Sequence, residues 1–289
     1  AVMRDEQSIH RVSYELCVDA FSEGVYYQEI RFAPQLLEQH GLSSLQILKA
    51  ASAGIKQAEF EFNGGRDIEL YRAAIIVCAM RFPAMLSSKS VDAVRSALDA
   101  RDNHGLPVVA FDLAGAELGN PAGAHRQAYQ IASDAQLSRT VHAGEADGAK
   151  SIADAITSCK AQRIGHGTHL LEDDAVLETV KSQNILLEVC LTSNLQTMPH
   201  LEDLAQHPYR RFVELQVPFT LATDNRLLSR TNICTEYQLA VTYGNLTHTQ
   251  LLKVAANGFD AMFFPGSSAQ ARQYRQAVQV ETDRVVDSC

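Results

Sequence analysis

The sequence lacks the features that would indicate a membrane-spanning or nucleic-acid-binding protein. It contains no run of about 18 consecutive apolar residues, the length that a membrane-spanning helix requires. Lys and Arg number 25 against 34 Asp and Glu, so the formal net charge is −9. Because nucleic acids and anionic membrane surfaces attract basic proteins, neither is expected as a partner.

Closely spaced cysteine pairs are also missing. The six cysteines are scattered along 289 residues, and none belongs to a Cys-x-x-Cys motif. In a chain of this length they are expected to be reduced, buried thiols rather than a disulfide framework, which favours a cytoplasmic protein. The chain starts at Ala1 in a helical pattern, so we expect the natural start to lie upstream, where any targeting signal would be read.

Four catalytic signatures are absent as well. The sequence contains no His-Glu-x-x-His, no Gly-x-x-x-x-Gly-Lys and no Gly-x-Ser-x-Gly, and it lacks His-x-Glu combined with Pro-Cys-x-x-Cys. At the level of motifs, these absences exclude zincin peptidases, P-loop proteins, nucleophile-elbow hydrolases and the cytidine-deaminase type of zinc enzyme.

What the sequence does contain is a regular alternation of strand and helix patterns from end to end. This alternation predicts parallel β-α-β units in a single domain over residues 1–289. Seven strands fit either an open doubly wound sheet or a closed barrel that needs eight, and the pattern alone leaves both open. The predicted strands are 25–32, one within 68–79, 108–113, 139–141, 163–164, 185–189 and 219–222.

Polar residues suited to metal binding and proton transfer follow three of these strands. His142 and Glu145 follow the fourth strand, His166 the fifth and Asp224 the seventh. In a parallel α/β fold these strand ends share one rim, where active sites are built. Two imidazoles and a carboxylate suit zinc, and a second carboxylate remains for proton transfer. Taken singly, each has a structural alternative; Asp224, for example, would serve equally to cap the next helix.

Taken together, the motifs resemble those of the adenosine deaminase family, within the metal-dependent amidohydrolase barrels. The resemblance covers essentially the whole chain and implies a (β/α)₈ TIM-type barrel of which seven strands are recognisable here. Because the order of the motifs also matches, the resemblance is specific. The matching segments are 27–34, 111–117, 139–145, 163–169, 187–194 and 223–225.

The resemblance implies a catalytic role for each strand-end residue. His142 and Asp224 would be zinc ligands, with one zinc ion in the intact enzyme. Glu145 would donate a proton to the purine ring nitrogen beside the carbon under attack. His166 would orient the water that zinc activates and help to remove its proton.

Two further residues are implied to bind the purine. Gly115 would present its backbone to the ring, and Asn225 would hydrogen-bond the opposite ring edge. Asn225 departs from the family pattern, which often has a second Asp at this position, and this departure leaves the purine specificity open. Leu191 stands where Pro is common, and no chemical consequence is attached to it. Asp112, Ser193 and Glu188 are expected either to orient metal ligands or His166, or to hydrogen-bond the barrel rim.

The family's first strand, with its His-x-His pair of zinc ligands, has no counterpart before the strand that contains Tyr27. Two protein zinc ligands therefore remain, where a catalytic site normally has at least three. We expect the sequence to be an N-terminally truncated form of an ordinary enzyme.

The function implied is zinc-dependent hydrolytic deamination of adenosine and 2′-deoxyadenosine, a small-molecule purine nucleoside being the partner. Deamination of another aminopurine, such as adenine or a modified adenosine, is the enzymatic alternative. A non-catalytic purine-binding relative that lost its metal site is the alternative from a different class. The oligomeric state is not readable from the sequence.

Overall fold

The strands follow the predicted pattern closely. The structure, a computed structural model, describes residues 2–65, 69–81, 87–198 and 201–287. Each predicted strand has a counterpart there. The second begins within its predicted range of 68–79 and ends two residues beyond it, and Ile68 lies outside the described residues. The strands are β1 Tyr27–Phe32, β2 Arg72–Arg81, β3 Val108–Gly115, β4 Ser138–Ala143, β5 Arg163–His166, β6 Leu186–Val189 and β7 Phe219–Leu221.

The order of the strands decides between the two fold classes that the sequence left open. In the described part of the chain the seven strands form one sheet in the order β1-β2-β3-β4-β5-β6-β7. The pairs β1–β2, β4–β5, β5–β6 and β6–β7 are parallel. A doubly wound sheet reverses its strand order at a switch point, whereas a barrel adds each strand beside the preceding one. The prediction of a (β/α)₈ barrel with seven recognisable strands is therefore confirmed.

Helices connect the successive strands and account for the spacing of the motifs. The first begins where Asp5 and Ser8 form a reciprocal capping box, and Ser43 and Gln46 start the second in the same way. The helices are α1 Glu6–Ser22, α2 Ser44–Asn63, α3 Ser87–Asp102, α4 Arg126–Asp134, α5 Ala149–Cys159, α6 Asp174–Ser182, α7 Leu191–Thr197, α8 Tyr209–Glu214, α9 Arg226–Ser229, α10 Ile233–Gly244, α11 His248–Asp260 and α12 Ser268–Asp287.

Strand burial agrees with a parallel sheet covered on both faces. Residues 73–79 of β2 are buried without interruption, and all four residues of β5 and of β6 are buried. Strands of this kind carry continuous apolar runs rather than an alternating pattern. For this reason the sequence signal for these strands was a short β-branched run and not a two-residue period.

The chain divides into two compact units. One comprises Ala1–Cys78, Arg95–Ala110 and Phe263–Cys289, and the other Ala79–Val94 and Phe111–Met262. All six predicted site residues belong to the second unit. That residues 1–289 act as one domain stays a prediction.

The cysteines and the apolar character of the helices can be compared with the expectations from the sequence. Cys17, Cys78, Cys159, Cys190 and Cys234 form no disulfide within the described residues, and Cys289 lies outside them. Across the described ranges, no helix combines the length and apolar character that crossing a membrane requires.

Candidate active site

The predicted catalytic residues lie at or just beyond the carboxyl ends of their strands. His142 is the penultimate residue of β4, and Glu145 follows that strand by two residues. His166 is the last residue of β5, and Asp224 follows the end of β7 by three residues. His166 and Asp224 have positive φ angles of 64° and 51°. Such angles are uncommon for residues other than glycine and concentrate at functional sites.

His142 is held by a buried carboxylate. Its Nδ1 lies 3.0 Å from Oδ2 of Asp112, whose side chain is fully buried. A hydrogen bond at Nδ1 places the proton there and makes Nε2 the nitrogen that can bind a metal, as is usual for metal-binding histidines. A Cβ atom on Gly165 would lie 3.2–3.3 Å from atoms of His142, so the glycine leaves room for the imidazole.

His166 and Glu145 face each other. His166 Nε2 lies 3.5 Å from Oε2 of Glu145, and the rings of His166 and His142 are 5.2 Å apart between centroids. The other oxygen of Glu145 accepts a hydrogen bond of 2.7 Å from the Thr197 hydroxyl. A carboxylate beside an imidazole, with its own rotamer held, is an arrangement suited to proton transfer.

The short helix α7 contacts three of the predicted site residues. The Ser193 hydroxyl donates to Oδ2 of Asp224 at 2.7 Å, and the Asn194 amide nitrogen lies 3.0 Å from Nδ1 of His166. Thr197 binds Glu145 from the last position of the same helix. These three bonds connect the segments that follow β4 and β7, and the last residue of β5, to one helix.

The loop that carries Glu145 surrounds another carboxylate. Glu117 is 5% exposed, and its two oxygens accept hydrogen bonds from four consecutive backbone amides and one hydroxyl. Burial by itself would raise the pKa of Glu117, but the bonds from Ser151 and the backbone amides outweigh it and lower that pKa. The donors are Gly144 N (2.5 Å), Glu145 N (3.0 Å), Ala146 N (2.7 Å), Asp147 N (3.3 Å) and Ser151 Oγ (2.6 Å).

The two predicted purine-binding residues lie at exposed strand ends. Gly115 ends β3 with φ +99°, and a Cβ atom there would approach the Arg81 backbone to 3.2 Å, so the position requires glycine. Asn225 is exposed and its amide lies 3.3 Å from Oδ1 of Asp224. Their contact with a purine stays a prediction.

Asp224 does not cap the helix that follows it. The N-cap of α9 is Asn225, which makes no side-chain capping bond, whereas Asp224 binds Ser193. The capping alternative for Asp224 is therefore wrong, and its carboxylate is held at the strand end instead.

The metal-binding capacity of the site is partial. An imidazole nitrogen from His142 and a carboxylate from Asp224 are donors that zinc prefers, and the Asp112 bond to His142 is typical of a metal-binding histidine. Within the described ranges, no three His, Cys, Asp or Glu side chains group closely enough to hold a metal ion. His142 and Asp224, the two ligands that the family resemblance implies, are fewer than the three of a typical catalytic zinc site.

Of the three supporting residues expected from the sequence, two contact the site. Asp112 binds His142 and Ser193 binds Asp224, whereas Glu188 lies 2.8 Å from Nε of Arg163 and accepts from Thr140. Residues that sequence reasoning missed are Glu117, Asn194, Thr197 and His207. Glu117 and Asn194 lie inside the matching segments 111–117 and 187–194, but no local signal in the sequence indicates which groups they bind.

A barrel strand order with imidazole and carboxylate groups at the carboxyl ends of the strands is the arrangement of a (β/α)₈-barrel enzyme. Comparison with known proteins identifies the family. The family model described as adenosine deaminase matches residues 1–277. Adenosine deaminase from Clostridium kluyveri is 32% identical over 262 residues, which span 91% of this chain and 72% of that protein. The chain belongs to the adenosine deaminase family, whose members are hydrolytic deaminases.

Solved structures agree with the fold. N6-methyl-AMP deaminase from Arabidopsis thaliana superposes with a TM-score of 0.82 at 26% identity, covering 98% of this chain and 80% of the other. An amidohydrolase from Burkholderia ambifaria with bound zinc superposes with a TM-score of 0.86 at 21% identity, covering 99% and 76%. At 21% identity, the similarity to the Burkholderia ambifaria protein shows a shared fold and nothing more.

Proposed function

We propose that the protein deaminates adenosine and 2′-deoxyadenosine by adding water and releasing ammonia, with zinc as its cofactor. The observation that carries the proposal is the pairing of Glu145 with His166, 3.5 Å apart, beside His142 at neighbouring strand ends. These are the positions to which the resemblance to the adenosine deaminase family assigns proton transfer and metal binding.

Glu145 supplies the proton that activates the purine. Protonation of the ring nitrogen draws electrons from the adjacent carbon, which then accepts the oxygen of water. Thr197 holds one carboxylate oxygen, so the other faces the space shared with His166. The amino group leaves as ammonia, and the oxygen of water remains on the ring carbon. A positioned proton donor of this kind typically contributes about 10²–10⁴-fold to the rate.

His142 and Asp224 are the residues that would hold zinc. Zinc bound there would supply hydroxide at neutral pH, because the metal lowers the pKa of bound water towards about 7. Asp112 and Ser193 orient the two ligand side chains through bonds of 3.0 and 2.7 Å. Gly115 and Asn225 are the proposed contacts to the purine, at the ends of β3 and β7.

Another aminopurine is the second candidate substrate. The similarity to N6-methyl-AMP deaminase favours it, as does Asn225 at a position where the family often has Asp. An adenosine with a substituted amino group would need the same proton from Glu145 and the same attack by water, and only the leaving amine would differ.

A substrate panel tests the proposal. The complete product of the gene that contains this sequence is incubated with zinc and with adenosine, 2′-deoxyadenosine, adenine or N6-methyl-AMP. Release of ammonia or methylamine and the purine product are measured. The highest kcat/KM is expected for the two nucleosides. A preference for adenine or N6-methyl-AMP would overturn the substrate assignment, and no turnover together with no copurifying zinc would indicate a non-catalytic purine-binding relative.

A further inference from the structure

A chain of hydrogen bonds behind His166 reaches from its ring to the peptide backbone. Nδ1 of His166 lies 3.0 Å from the amide nitrogen of Asn194, and the amide oxygen of Asn194 lies 3.1 Å from Nε2 of His207. Nδ1 of His207 accepts a bond of 3.1 Å from the backbone N–H of Tyr209. His166, Asn194 and His207 are all buried, with exposures of 2%, 0% and 1%.

The backbone sets the direction of every bond in this chain. The N–H of Tyr209 can only donate, so Nδ1 of His207 must be the acceptor and the proton of that ring is on Nε2. Nε2–H then donates to the amide oxygen of Asn194. The amide nitrogen of Asn194 therefore faces His166, and since an NH₂ group can only donate, Nδ1 of His166 is an acceptor.

The opposite orientation of Asn194 is disfavoured. Rotation of its amide by 180° would set NH₂ against the N–H of His207 in a site closed to water. Each buried donor left without an acceptor costs about 1–3 kcal/mol. Protonation of His207 is disfavoured too, because burial lowers the pKa of His207 to about 3.

We propose that Asn194 and His207 are positioning residues that hold neutral His166 with its proton on Nε2, facing Glu145. In this tautomer the accepting nitrogen of His166 is already bound to Asn194, and Nε2 presents an N–H. His166 then acts as a hydrogen-bond donor to the oxygen that attacks the purine. A donor role for His166 differs from the role that the family resemblance implies, in which His166 helps to remove a proton from water. The catalytic consequence rests on the proposed deamination, whereas the tautomer does not.

Nitrogen NMR of the histidine rings tests the tautomer directly. The complete gene product is labelled with ¹⁵N-histidine, and long-range proton–nitrogen correlations are recorded near neutral pH. His166→Gln identifies the resonances of His166 by their loss. The expected result is a protonated Nε2 and a lone-pair Nδ1. A protonated Nδ1, or a ring protonated at both nitrogens, would overturn the proposal.

Substituting Asn194 with aspartate reverses the direction of the bond to His166, keeps that of the bond from His207, and changes the shape of the side chain very little. A carboxylate in Asn194→Asp can only accept, so the proton of His166 is expected to move to Nδ1. Asn232→Asp is the matched control: it makes the same chemical change at the N-cap of α10, where Asn232 accepts from Thr235 N. It should leave the His166 pattern unchanged. An unaltered His166 pattern in folded Asn194→Asp would contradict the proposal.

Kinetics separate this proposal from the proposed function. Asn194→Asp is expected to lower kcat by roughly 10- to 100-fold, the range found for residues that orient site groups, with a smaller change in KM. His207→Gln, which keeps a donor for Asn194, should retain more activity than His207→Leu. An Nε2–H tautomer without deamination would refute the proposed function alone. Deamination with an Nδ1–H tautomer would refute this inference alone.

Discussion

Replacing Glu117 by glutamine tests how the loop that bears Glu145 is held. The carboxylate of Glu117 accepts from five donors, two on Oε1 and three on Oε2. In Glu117→Gln one oxygen becomes an NH₂ group, which can only donate. Two donors lose their acceptor if the amide replaces Oε1, and three do so if it replaces Oε2.

The expected cost follows from these counts. A donor that loses its acceptor in a buried position costs about 1–3 kcal/mol, so two such donors cost about 2–6 kcal/mol in the free energy of unfolding. At roughly 2–4 °C per kcal/mol for a domain of this size, Tm should fall by about 4–24 °C. Activity should fall as well, since Glu145 is one of the residues whose amide Glu117 binds.

Thermal unfolding followed by circular dichroism measures this cost. Glu178→Gln is the matched control, because Glu178 is 68% exposed and pairs only with Lys181 at 3.1 Å among the contacts described. Exposed pairs of this kind contribute about 0–1 kcal/mol. If Glu117→Gln unfolds at the same temperature as Glu178→Gln, the five hydrogen bonds do not stabilise the loop.

Three further results are expected from the same contacts. The folded-state pKa of Glu117 lies below its ordinary value of 4.5, so the stability that its carboxylate contributes is complete above pH 4.5 and is lost as the pH falls through the folded pKa. Acid unfolding curves of the wild type and Glu117→Gln should therefore converge below pH 4.5. A stability difference that stays constant at all pH values would contradict this expectation. Asp112→Asn should weaken zinc binding by about 10- to 100-fold in chelator competition, since it removes the charge beside His142. Asp224→Ala should lose zinc altogether by metal analysis, and zinc retained at the wild-type level would exclude Asp224 as a ligand.

The strand ends could be predicted from sequence because their signals are local. Short β-branched runs followed by glycine, histidine or acidic residues indicated β4, β5 and β7, and the structure places His142, His166 and Asp224 at their ends. The choice of a barrel over a doubly wound sheet was not local. It depends on which strands are neighbours, and it came from the family resemblance and then from the observed strand order.

The side-chain partners could not be predicted, because they join residues distant in the sequence. Asn194 is 28 residues from His166, and Glu117 is 27 residues from Gly144. Nothing near Asn194 indicates whether its amide caps a helix, binds backbone or orients an imidazole. His207 lies in no motif, and only its burial beside Asn194 relates it to the site.

The role of Glu145 as proton donor can be tested by comparing the wild type with a single variant. Ammonia release from adenosine is measured for the complete gene product and for Glu145→Gln, with zinc content and purine binding determined on the same samples. Glu145→Gln is expected to lose about 10²–10⁴-fold in kcat and to retain zinc and purine binding. A near-normal kcat in this variant would show that Glu145 is not the proton donor.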